Sequence, residues 1–181
     1  MKGRINTYTG VDFYVFEPKI EDIKKEDIAH ALSLICRANG HFKHFYSIAQ
    51  HCINCYKEGK MRKLSNKVLL ALLLPDASEA YISDITRPVK ERLLEYLKIE
   101  NEIQEMIYNK FGIYDLTGEE KAQIKEIDDL MLWYEFKNLH TYSLSGTPPK
   151  KYAELDFSFK DMKEVEQEYL NILNGILADF K

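Results

Sequence analysis

The stretch Leu69-Leu70-Ala71-Leu72-Leu73-Leu74-Pro75-Asp76-Ala77-Ser78-Glu79-Ala80-Tyr81-Ile82-Ser83-Asp84 constrains the fold of this chain more than any other. Its apolar run must leave water, at about 25 cal/mol for each Å² of apolar surface removed. The run stops at Pro75, and three carboxylates follow at once: Asp76, Glu79 and Asp84. Whatever core the run enters, it carries Asp76 to the edge of that core. A carboxylate in such a place needs a cation or hydrogen-bond donors, and three so close repel one another unless positive charge lies among them. The stretch is therefore either a buried helix followed by a solvated acidic turn, or the wall of a cavity that holds a cation.

The rest of the chain supplies helices to surround it. Ile28, Ala29, Leu32, Ile35 and Cys36 recur at helical spacing over Lys24–Cys36, and Asn39-Gly40 stops that helix. A second helix is predicted over about Phe42–Lys57, and Ser65 caps a third that carries the apolar run. Pro88 suits the first turn of a helix to about Leu97, followed by another that ends at Gly112. Thr117-Gly118-Glu119-Glu120 is a capping box opening a helix to about His140. Leu144–Tyr152, with Gly146, Pro148 and Pro149, reads as a loop. A stripe of Met162, Val165, Tyr169, Ile172, Leu173, Ile176 and Leu177 marks a last helix over Phe159–Phe180, which serves as core or as a homodimer face. Arg4–Tyr8 and Val11–Phe16, with Thr9-Gly10 between, predict an N-terminal hairpin. The fold class expected is an all-α bundle with a small β-hairpin, and 181 residues suit one domain, 1–181.

Composition narrows the partners. A net charge of -4 leaves no basic footprint for a nucleic-acid duplex. No apolar run is long enough to span a membrane, and MKGRINTYTG lacks the apolar core of a signal peptide. Three cysteines, an odd number, point to free thiols and a reducing cytoplasm. Cys52 and Cys55 form a CxxC, but no βαβ pattern surrounds it, so apolar packing is its expected role.

The central motif and three shorter ones carry a resemblance. LLLPDASEAYISDITRPVK resembles the central motif of the HD-domain metal-dependent phosphohydrolases, in the branch of bacterial 5'-deoxynucleotidases, whose members read LLHDAxEAYxxD. FYSIAQH resembles their FYSVAxH, IKEID their VKxAD, and CRANGH their CRFxGH; the likeness runs from about Asp27 to His140. It implies an HD-domain-like helical bundle and a metal-dependent phosphohydrolase acting on the phosphomonoester of nucleoside 5'-monophosphates, deoxynucleotides foremost. It implies a divalent metal ion (Mn, Co, Fe or Mg) held by His51, Asp76 and Asp128, with Glu79 and Asp84 catalytic. Arg37, His41 and Tyr46 would bind the small-molecule nucleotide. Asp129, adjacent to Asp128, points about 100° away on a helix. Lys90 and Arg92 read as solvated helix charges.

Pro75 departs from the family pattern, which has a metal-binding histidine there. Proline offers no lone pair, and inside a helix it removes an amide and crowds the carbonyl of Ala71, at about 3 kcal/mol. The alternative is accordingly a catalytically degenerate HD-domain protein that binds nucleotide without turnover.

Overall fold

The structure is a computed structural model that describes residues 3–142 and 145–179. The chain opens with the expected hairpin. β1 (Arg4–Asn6) pairs antiparallel with β2 (Asp12–Tyr14), placing Ile5 opposite Phe13. The strands are shorter than predicted because the turn reaches outward from Thr9-Gly10. Thr7 N–H donates to Val11 O at 2.9 Å, and Gly10 takes φ 84°. Phe13 is fully buried and stacks on Tyr81 at 4.1 Å. Buried Asp27 accepts from the Thr9 N–H at 2.7 Å and its hydroxyl at 2.9 Å, which ties the turn to the next helix.

Everything after the hairpin is helical or irregular. α1 (Lys25–Leu34) buries Ile28, Ala29 and Leu32. It ends before Cys36, because the chain then runs extended and passes through three left-handed residues, Ala38, Asn39 and Gly40. α2 (Ile48–Met61) begins later than predicted, at a capping box in which Ser47 Oγ accepts from the Gln50 N–H and the Gln50 side chain accepts from the Ser47 N–H. α2 packs against α1 and against three later helices: α3 (Asn66–Leu73), α7 (Gly118–Leu139) and α8 (Met162–Asp179). It is thus the centre of the bundle. α3 carries the apolar run beside it, starting at the predicted Ser65 cap. The two helices approach closely at Gly59, where a Cβ would lie 2.5 Å from Leu72 Cδ1.

Between α3 and α7 the chain forms α4 (Glu79–Ile82), α5 (Arg87–Lys90, with Pro88 in its first turn) and α6 (Leu94–Lys110). The predicted Pro88 helix to Leu97 is therefore two elements. Gly112, at φ 81°, follows α6 as expected. The capping box at Thr117 opens α7. Residues 145–152 are irregular, as expected of the loop; Leu144 lies outside the described residues, as does Phe180 at the end of the last predicted helix. The segment before α8 is held by the fully buried Glu58, which accepts from the N–H groups of Tyr152 and Ala153 at 3.0 and 2.8 Å and from Arg62 Nε at 2.9 Å. α8 buries Val165, Tyr169, Leu173 and Ile176 against α1, α2 and α3. No helix among the described residues is long and apolar enough to cross a membrane.

Candidate functional site

The apolar run does end at the edge of a cavity. α3 stops at Leu73, and Pro75 lies in a turn before α4 rather than within a helix. Its missing amide therefore breaks no interior helical bond, and the penalty expected for a mid-helix proline is not incurred. Gln104 on α6 clamps the turn: its Nε2 donates to Leu74 O at 2.7 Å, and its Oε1 accepts from the Ser78 N–H at 3.1 Å. Asp76 is thereby set at the mouth of a cavity of about 580 Å³. Glu79 and Asp84 line the same cavity, although Asp76 and Glu79 share a turn and a helix start rather than one helical face.

Three other parts of the chain deliver the remaining groups. The left-handed turn after α1 brings Arg37 and His41 to the cavity wall, α7 brings Asp128 and Glu135, and the α5 segment brings Arg87 and Lys90. His51 on α2 lies fully buried behind them. Its Nδ1 is 2.6 Å from Glu135 Oε1, its Nε2 is 3.2 Å from Asp128 Oδ1 and 3.9 Å from Asp76 Oδ2, and Cys55 Sγ is 3.5 Å from Nε2. Arg37 donates through Nη1 to Asp76 Oδ2 and through Nη2 to Glu135 Oε2, each at 3.2 Å.

The lining is rich in carboxyl groups. Five (Asp76, Glu79, Asp84, Asp128, Glu135) face three fixed cations (Arg37, Arg87, Lys90). Burial pushes the Asp128 carboxyl up, but the hydrogen bond and charge of His51 outweigh it and hold it at about 2. Burial likewise pushes Glu135 up, and Arg37 and His51 more than offset it, so that it stays below its usual range. Burial and the Arg37 charge press the His51 imidazole down; Cys55, Glu135 and Asp128 raise it further, and the net direction is up. Glu79 is the exception among the carboxyls. Burial, then the charges of Asp76 and Asp84, push it up to about 9 despite Lys90 at 3.3 Å. Its Oε2 is buried without a hydrogen-bond partner. At neutral pH Glu79 is thus a carboxylic acid with a proton to give.

The chemistry of the donors suits a divalent cation. Glu135 can fix the Nδ1–H of His51, leaving the Nε2 lone pair directed at two carboxylates, the arrangement in which an outer carboxylate orients a metal-binding imidazole. Acceptors that face each other at 3.2 Å need a proton or a cation between them. The centre is not ready-made: among the described residues, no group of three His, Cys, Asp or Glu side chains already surrounds a common point. Loading would require Asp76 to leave Arg37 and Nε2 to give up its proton. Pro75 contributes no donor.

Several sequence expectations need correction here. Tyr46 does not line the cavity; it is 1% exposed, packs between Phe42 and Phe157, and its hydroxyl accepts from Asn54 Nδ2 at 3.0 Å. Its aromatic ring is core, as helical spacing alone would suggest. Arg37 is not a free phosphate fork, since both terminal nitrogens hold carboxylates, and an alanine there would leave buried Glu135 without its guanidinium partner. Lys90 is not a solvated helix charge, because it bridges Glu79 and Glu100 at 3.3 and 2.7 Å. Asp129 points away onto Lys125 at 2.7 Å, as its helical phase requires. Glu135 belongs to none of the recognised motifs, although it stands seven residues after Asp128, two turns along the same face of α7.

The fold and this cavity define a mostly helical protein with an N-terminal hairpin and a carboxylate-rich pocket closed over a buried histidine. The chain belongs to the family of YfdR from Escherichia coli K12, a protein described as uncharacterized. The two are 36% identical over 135 residues, covering 75% of this chain and 71% of YfdR. An uncharacterized protein of Rhodobacter capsulatus is 29% identical over 136 residues, covering 71% of this chain and 69% of that protein. No protein-family model matches the chain.

Proposed function

We propose that the chain is a metal-dependent phosphohydrolase of the HD-domain kind, acting on nucleoside 5'-monophosphates with deoxynucleotides foremost, and that its metal site is one imidazole short. One observation carries this reading. His51 on α2, Asp76, Glu79 and Asp84 around α4, and Asp128 and Glu135 on α7 converge on one cavity or the wall behind it. With Glu79 neutral, loss of the His51 proton would leave four ionised carboxylates (Asp76, Asp84, Asp128, Glu135) against three cations (Arg37, Arg87, Lys90), so a cation that takes the place of that proton suits the lining and can meet an anionic substrate. His51, Asp76 and Asp128 are the groups that would hold that cation. When bound, a divalent ion would polarise the phosphoryl group and ease ionisation of water.

The remaining roles belong to side chains. Arg87 lines the cavity as a cation that can orient phosphoryl oxygens, and Arg37 can join it once Asp76 leaves Arg37 for the metal, while Lys90 stays with Glu79 and Glu100. Asp84 accepts a proton as water attacks phosphorus, and Glu79 gives its proton to the departing sugar oxygen as the P–O bond breaks. Glu135 holds the His51 ring in one orientation. The test is release of inorganic phosphate from a panel of deoxynucleoside 5'-monophosphates with Mn²⁺, Co²⁺ or Mg²⁺. Turnover is expected with at least one ion, and Glu79→Gln should lower kcat by about 10²- to 10⁴-fold. A second reading, nucleotide binding without turnover, is favoured by one feature: proline stands where a fourth ligand is needed. Tight nucleotide binding with no phosphate released under any ion would select it.

A further inference from the structure

The cavity has a second, apolar end that the phosphoryl chemistry leaves unused. Phe42, Phe136, His140 and Tyr142 line it, toward the C-terminus of α7. The His140 ring lies 4.6 Å from the rings of both Phe136 and Tyr142, and Phe42 meets Phe136 and His140 edge-on at 5.9 and 5.4 Å. A cluster serving only as core would be closed. Here Phe42 is buried at the base, but Tyr142 is 53% exposed and His140 is partly exposed at the cavity wall. From Glu135 to His140 the helix advances about 7 to 8 Å, which is the scale on which a sugar separates a phosphate from its base.

We infer that the ring series Phe136, His140 and Tyr142 is the nucleobase subsite, which makes the chain select nucleotides over other phosphomonoesters by stacking. The inference rests on the phosphohydrolase reading for the position of the phosphate, and on the ring geometry for everything else. Aromatic faces stack on bases with little regard to which base is offered, so selection is for the presence of a base more than for its identity. The polar groups at the other end of the cavity hold the phosphate of any monoester alike.

The experiment is calorimetric binding, in the presence of Mn²⁺, of deoxyadenosine 5'-monophosphate and of 2-deoxyribose 5-phosphate to the intact chain. His140→Ala and Tyr142→Ala follow; both residues sit at the open rim, whereas Phe136 packs on Phe42 and its loss would disturb the wall. The nucleotide is expected to bind at least about tenfold tighter than the sugar phosphate. Each variant should lose most of that advantage and leave sugar-phosphate affinity unchanged. If the two ligands bind the intact chain equally, or the variants weaken both alike, the base subsite is wrong while the phosphomonoester reading stands. If neither ligand binds, both are wrong.

Discussion

Glu79 is the side chain whose environment says most about the site. Held protonated up to about pH 9, it differs from an unfolded glutamate, which ionises near 4.5. Between those values the unfolded chain binds fewer protons than the folded one, so stability should fall as pH rises. Glu79→Gln removes that dependence. Relative to the parent, the variant is expected to show no gain near pH 4.5 and a gain growing to the order of 1–3 kcal/mol by pH 8, read by denaturant unfolding across pH. A difference that stays constant with pH would mean that Glu79 is ionised when folded, and its role as proton donor would go. The acidic motif made Glu79 visible in the sequence, as did the likeness to known motifs for His51 and Asp128. Glu135 and Lys90 were not legible, because a glutamate or lysine on a helix is normally solvated and only the packing of α2, α5 and α6 shows what these two face.

Among the elements, the turn between α3 and α4 positions the chemistry. Gln104 satisfies a carbonyl at one end of it and an amide at the other. Gln104→Ala is expected to lower stability by about 1–3 kcal/mol, since it strands partly buried backbone groups. Urea unfolding would measure this, and an unchanged midpoint would show that water or another side chain closes the turn. Helix starts are readable at Ser65 and Thr117, where a capping hydroxyl sits before the helix with no competing apolar stripe ahead of it. Helical periodicity places the start of α2 too early because Phe42 and Phe45 fit a helical stripe, although the Ser47–Gln50 box has the stronger local claim. Periodicity carries α1 past its end at Leu34 for a different reason. Asn39-Gly40 announces a left-handed stop, but Ala38 also takes that conformation, which a residue with a Cβ seldom adopts and which nothing local announces.

At the scale of the whole molecule, the bundle around α2 brings groups from four regions of the chain to one cavity, where the His51 proton completes the charge balance. A cation in place of that proton, at a phosphohydrolase site that lacks one metal donor because Pro75 stands where the motif it resembles has a histidine, is the central proposal. The Pro75→His variant tests it most directly. Because α3 already ends at Leu73, the substitution restores a donor without having to repair a broken helix. Metal content after equilibration with Mn²⁺, and phosphate released from deoxynucleoside monophosphates, would be measured for both proteins. The parent is expected to bind the ion weakly and turn over slowly. The variant is expected to gain at least about tenfold in affinity, since even outer-shell partners of a metal contribute on that scale, and to release phosphate faster. A variant that stays metal-free and inactive, while both proteins bind nucleotide, would contradict the claim.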